Sequence, residues 1–253
     1  MISVVICSID DTKFSNICVN ITKSFDCAVE IIRIDDAKSL ASGYNKGCKI
    51  AHGDTLVFCH DDIEIISKDF FSKFIDYHKL YDVIGIVGAS KIICGSWFNA
   101  GRPYISGNVL TPTSDSKFKL QVFDDNMKRE DGIKIIDGLF MSVKRNVFDT
   151  VGGFNESLCT GFHIYDIDFS FRSYLAGFKS IVMNDVLMLH NSPPLTNENP
   201  VKLMNWVIDK QKFDTLYQDK FDKLSSVDPN HYNVVFDTKE EAYTDFKRIR
   251  GIR

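Results

Sequence analysis

Leu56-Val-Phe-Cys-His-Asp-Asp62 is a short apolar run that stops abruptly at a histidine and two acids. An unbroken apolar stretch of this length reads as a strand buried on both faces, the kind found inside a parallel sheet. Upstream, Gly53-Asp54 makes a turn, and residues 39–51 place Leu40, Tyr44, Cys48 and Ala51 on one side of a helix. Val29–Ile34 is an earlier apolar run, closed by Asp35-Asp36. Residues 12–25 carry Phe14, Ile17, Cys18 and Ile21 at helical spacing, and residues 2–8 form a first strand that ends at Asp10-Asp11. Downstream, a helix is expected over about 68–79, led by Ser67 and Asp69 in capping positions, then a strand over 83–87 ended by Gly88. Strand and helix thus alternate four times in the first 90 residues. That order predicts an α/β fold with a Rossmann-like, mostly parallel sheet flanked by helices. Such sheets bind ligands at the carboxyl ends of their strands, where the acid pairs 10–11, 35–36 and 61–62 all fall.

The middle of the chain is less regular. Residues 92–136 are rich in Gly, Ser, Asn, Pro and aromatics and predict short strands and loops, among them an alternating run over 117–123. Regular patterning resumes with a strand over 135–143 and a helix over 144–151, stopped by Gly152-Gly153. A helix over 166–176 ends at Gly177, a strand over 180–189 leads to His190, and a helix over 200–221 starts at Pro200. With no linker or repeat, one domain is expected over 1–192, in halves 1–90 and 91–192, followed by a helical C-terminal extension over 193–253.

Composition excludes several classes. A net charge of −4 argues against bulk nucleic-acid binding. The seven cysteines are odd in number, lack a CxxC pair and sit largely in apolar runs, so they read as small buried residues of a reducing cytoplasm. Residues 2–6 read as a strand, not a leader, and no apolar run approaches the ~20 residues of a membrane span. The expected location is therefore cytoplasmic. The basic end, Lys247, Arg248, Arg250 and Arg253, reads as a solvated terminus, with a peripheral contact to anionic lipid at the inner face of a membrane as the alternative.

Three places carry chemistry. The adjacent acids of His60-Asp61-Asp62 are costly at a sheet edge unless something cationic binds, and a divalent ion on a diphosphate would meet that need; capping of a turn is the plainer use. In residues 161–172, Asp168 and Arg172 have the i,i+4 spacing of a structural salt bridge. Asp166 stands at a helix N-terminus, either as a cap or as a carboxylate placed to take a proton from an alcohol. His190 ends a late strand, as a loop residue or as a ligand that joins Asp62 on a metal.

Taken in order, residues 2–10, 32–36, Tyr44-Asn-Lys-Gly47, Ala51-His-Gly-Asp54, the run to Asp62, Asp137-Gly138, Val151-Gly-Gly-Phe-Asn-Glu156, 161–172 and Leu189-His190 give the chain a specific likeness. It resembles the family 2 glycosyltransferases of the GT-A fold, in the bacterial branch whose DxD-type motif begins with His. The resemblance covers roughly residues 1–192 and implies a nucleotide-binding half over 1–90 and an acceptor-side half over 91–192. It puts Ser8 and Asp10 at the nucleobase, Asp36 at the base or ribose, and Asn45, Asp61 and Asp137 along the nucleotide sugar. It puts Asp62 and His190 on Mn²⁺ or Mg²⁺, Asp166 in the role of catalytic base, and Phe162 and His163 toward the acceptor. The implied reaction is inverting transfer from a nucleotide-diphosphate sugar, UDP favoured, to a hydroxyl of a glycan or lipid-linked acceptor in polysaccharide assembly. Trp97, Phe98 and Tyr104 are candidates for stacking on a sugar, although core packing is the simpler reading of each. A silent sugar-binding scaffold would use the same fold. A nucleotidyltransferase would need glycines after the first strand, where residues 8–12 have none, and a metallophosphoesterase a second ligand cluster.

Overall fold

The computed structural model describes residues 1–124, 132–191, 200–224 and 227–252. Arg253 and the expected boundary at 192/193 lie outside them. The first sheet is built from β1 (Ile2–Cys7), β2 (Val29–Ile34), β3 (Thr55–Cys59), β5 (Val83–Gly85), β10 (Phe140–Lys144) and β11 (Ser180–Val182). Its order is β11-β5-β10-β3-β1-β2. All neighbours are parallel except at β10, which runs antiparallel to both β3 and β5. Helices α1 (Asp11–Ser24), α2 (Leu40–Cys48), α3 (Phe70–Leu80), α4 (Arg145–Val151) and α5 (Tyr165–Leu175) accompany it. Burial follows the reading of the apolar runs: Leu56, Val57 and Phe58 of β3 have no exposed surface, nor do Val4, Val5 and Ile6 of β1.

A second sheet has the order β13-β8-β7-β12-β4, with β6 paired to β7 and β9. Its strands are β4 (Ile63–Ile65), β6 (Val87–Ala89), β7 (Ile105–Pro112), β8 (Phe118–Val122), β9 (Ile135–Ile136), β12 (Met188–His190) and β13 (Tyr232–Phe236). Two expected strands are divided between the sheets. The run over 83–87 breaks at Ile86 into β5 and β6, and the run over 180–189 becomes β11 and β12. A crossing backbone packs closely there. A Cβ on Gly107 would lie 2.1 Å from the Ile86 carbonyl oxygen, and Gly107 has φ +116°, so glycine is required.

The C-terminal extension departs from the expectation that it is helical. Between α6 (Pro200–Tyr217) and α7 (Lys239–Arg250), β13 adds an edge to the second sheet, with Tyr232 opposite Val122 and Phe236 opposite Phe118. Ala242 and Phe246 of α7 then bury themselves against Leu110, Leu120, Val122, Leu187 and Leu189. Arg250 is 1% exposed, donating from Nε to Asn108 Oδ1 at 2.9 Å and from Nη1 to Asp124. The reading of Arg250 as part of a solvated terminus is thereby corrected, because a buried carboxylate has claimed it. Ser67 likewise is not a side-chain cap: its Oγ accepts from Leu187 N, just before β12, at 2.9 Å. Cys48, Cys59 and Cys159 are buried, and burial pushes the Cys48 thiol up to about 12, so it packs as a neutral group.

Candidate active site

The site forms where the chain passes from one sheet to the other. At the end of β3, His60 N donates to Leu139 O at 3.1 Å, which ties the motif to the turn at Asp137-Gly138. Three residues on, β4 joins the second sheet and pairs with β12, so that Ile63 stands opposite His190. Asn191 N donates to Asp62 O at 2.8 Å and fixes that register.

Three side chains converge as a result. His190 Nε2 is 3.4 Å from Asp62 Oδ1, His60 Nδ1 is 3.9 Å from the same oxygen, and the two rings approach to 3.2 Å, Nδ1 to Nε2. One ligand atom from each lies within 4.8 Å of the others. Two imidazoles and one carboxylate are a donor set that suits a first-row divalent ion. The electrostatics keep the donors ready. Burial is the largest influence on Asp62 and opposes its charge, but the hydrogen bond and charge of His190, with His60 and Lys13, together outweigh it and hold the carboxyl below the usual range. Burial, with His190 next in effect, lowers His60 to about 4, so its ring is neutral. On the far side, His60 Nε2 is 3.1 Å from the Tyr165 hydroxyl, which donates to Gly138 O at 3.2 Å. With that proton spent, Nε2–H donates to the phenol and the Nδ1 lone pair faces Asp62 and His190.

A second wall comes from the first strand. Ser8 Oγ donates to Asp61 Oδ2 at 2.7 Å, and Lys13 Nζ lies 3.8 Å from the carboxylates of both Asp61 and Asp62. Asp10 caps α1, accepting from Thr12 N and Lys13 N at 2.8 and 2.9 Å. Those backbone donors, Lys13 N foremost, lower its carboxyl. Asp36 is exposed and ion-paired with Lys46 at 2.6 Å. Asn45 is engaged elsewhere: its amide donates to Phe154 O and Glu156 Oε1 and accepts from Phe154 N, so it braces the 153–156 segment.

Asp166 lies beyond the Gly138 turn, in the first turn of α5. Its Oδ2 accepts from Gly138 N at 2.6 Å. Burial, followed by repulsion from Asp137, raises its carboxyl to about 7. Asp137 is itself held, accepting from Trp97 Nε1 at 2.6 Å and from Leu139 N at 2.9 Å. A Cβ on Gly138 would stand 2.0 Å from the Tyr165 hydroxyl and 3.0 Å from Asp166 Cβ, so the turn, the phenol and the carboxylate fit together only around a glycine. The helical pair Asp168–Arg172 is a salt bridge of 2.8 Å, as the spacing predicts. Phe162 is exposed, and the His163 ring lies 6.3 Å from that of Trp206.

Residues 3–226 match the family described as "Glycosyltransferase like family". The chain belongs to this family. The protein y4gI of Sinorhizobium fredii (strain NBRC 101917 / NGR234) is 23% identical over 166 residues, 62% of this chain, and the chain spans 17% of that relative's length. Mannosyltransferase PcManGT from Pyrobaculum calidifontis, solved in complex with GDP-Man and Mn2+, superposes with a TM-score of 0.53 at 12% identity, over 88% of this chain and 65% of that one. GalNAc-T7, solved with UDP, GalNAc and Mn2+, gives 0.53 at 14% identity over 99% of this chain and 54% of that one. These likenesses establish the GT-A fold.

Within this glycosyltransferase-like protein, the structure adds residues that the sequence reading passed over. His60 joins the donor cluster, where the resemblance puts only Asp62 and His190. Tyr165 orients it. Lys13 had one signal, a cation in the first turn of a helix where the dipole disfavours it. Trp206 had none, because its partner His163 is 43 positions away in sequence.

Proposed function

We propose that the protein transfers a sugar, with inversion, from a nucleotide-diphosphate donor to a hydroxyl of a glycan or lipid-linked acceptor, in the presence of Mn²⁺ or Mg²⁺. The observation that carries this reading is the placement of a three-donor cluster and a carboxylate of raised affinity for protons on opposite sides of one glycine turn. His60 Nδ1, Asp62 and His190 Nε2 would hold the ion. When bound, it would act as a Lewis acid for the departing diphosphate. Two imidazoles favour Mn²⁺ over Mg²⁺, which prefers oxygen ligands and its own waters. Ser8 orients Asp61 toward the donor, and the Lys13 ammonium is placed to offset diphosphate charge. Asp166 accepts the acceptor's hydroxyl proton while that oxygen forms its bond to the anomeric carbon and the bond to diphosphate breaks. Both the PcManGT and GalNAc-T7 structures contain a nucleotide or nucleotide sugar together with Mn2+, which supports the donor class. UDP is the favoured nucleotide. No helix among the described residues is long and apolar enough to cross a membrane.

Melting curves with UDP, dTDP, GDP and CMP, each with and without Mn²⁺, test the reading. A ligand at 100 times its Kd stabilises the native state by about 2.7 kcal/mol. A shift for a nucleoside diphosphate that requires Mn²⁺ is expected, largest for UDP. No shift for any of them would refute the donor class, and a shift without turnover of UDP-sugars would leave a binding protein.

A further inference from the structure

Helix α6 lies outside the apparent nucleotide half, yet its side chains grip the segment that leads into Asp166. Asp209 has no exposed surface. Its Oδ2 accepts from Thr160 N at 2.8 Å and Gly161 N at 3.0 Å, and its Oδ1 accepts from Thr160 Oγ1 at 2.9 Å and Lys212 Nζ at 3.1 Å. A buried carboxylate is tolerated only when satisfied in this way, and here most of its donors belong to one short stretch of loop. Gly161 lets the helix lie close: a Cβ there would be 3.2 Å from Asn205 Cβ. On the other side, Gly161 O accepts from Leu40 N at the start of α2. The loop then presents Phe162 and His163, the latter against Trp206, and passes through Ile164 at φ +68°. A β-branched residue in the left-handed region persists only where its surroundings over-determine it. At the far end of α6, the Tyr217 hydroxyl donates to Asp168 Oδ1 at 3.3 Å, a second attachment to α5.

We infer that Asp209 is the positioning residue for segment 160–166: by holding the Thr160 and Gly161 amides it sets the register of Phe162 and His163 and the direction of Asp166. The inference rests on the transfer reading given above. It makes α6 part of the acceptor side rather than an appendage.

The test uses the full chain with Mn²⁺ and UDP-glucose, UDP-galactose or GDP-mannose, with water as acceptor and release of nucleoside diphosphate as the signal. Asp209→Asn should lower kcat by roughly 10–100-fold, the size of effect a misplacement of about 1 Å can produce. Donor KM and the metal-dependent melting shift with UDP should stay as in the parent protein, and amide exchange should quicken at 160–161. Thr160→Ala, which removes one hydrogen bond and keeps the helix, should show a smaller fall in kcat. Unchanged kcat with faster exchange would overturn the inference. So would a joint loss of kcat, KM and melting shift, which would make Asp209 a purely structural residue. If the parent protein itself gives neither release nor shift, the transfer reading fails instead, and the exchange result still reports whether Asp209 holds the segment.

Discussion

Asp166, proposed above as the base, sits in surroundings that change its affinity for a proton. A carboxylate at a helix N-terminus is ordinarily stabilised in its charged form. Here burial and the neighbouring Asp137 reverse that and raise it to about 7. A base must be deprotonated to act, so the rate should fall as pH drops below about 7 and level off above it. Asp166→Asn should lose ~10²–10⁴ in kcat while keeping metal-dependent nucleotide binding. The same shift fixes a sign for stability. The native state binds this proton more tightly than the unfolded chain, whose value is near 3.8, so a destabilising contribution builds between pH 4 and 7 and persists above. The Asn variant should therefore melt no lower than the parent protein at pH 8. A variant that is both active and less stable there would contradict the assignment.

Among the elements, the late ones carry more than their patterns suggest. β13 is a half-exposed strand that gains its place by pairing with β8, and α7 covers the same sheet. Arg250 fastens α7 through Asp124 and Asn108, both of them buried. Removing one partner of a buried ion pair typically costs about 3–5 kcal/mol, because the other charge is stranded. Arg250→Ala should lose stability on that scale in a denaturant titration. A loss under about 1 kcal/mol, the range of an exposed pair, would show that water reaches Asp124. The terminus was legible as basic, but nothing local announced that one of its arginines had a carboxylate waiting 126 positions earlier.

For the whole molecule, the donor cluster joins two sheets: His60 and Asp62 follow β3 of the first, while His190 ends β12 of the second. An ion held by all three would pin the sheets together at this point. Amide exchange should slow at Asn191 and across the β4–β12 pair when Mn²⁺ and UDP are added, while the β8–β13 pair stays as it was; uniform slowing would point to general stabilisation instead. Apolar patterning along the chain dictates the alternation of β1 to β3 with α1 and α2, because buried parallel strands must be apolar throughout and their ends must turn. Spacing along one element also places the motif acids at a carboxyl edge and marks the Asp168–Arg172 bridge. The rest depends on how distant segments meet: the division of 83–87 and 180–189 between two sheets, the approach of His60 to His190, the commitment of Asn45 to the 153–156 segment, and the grip of Asp209 on the loop before Asp166. Each of these pairs groups far apart in the chain. Local periodicity records which face of an element is apolar, but a hydrogen bond between distant residues leaves no trace in either one's neighbours.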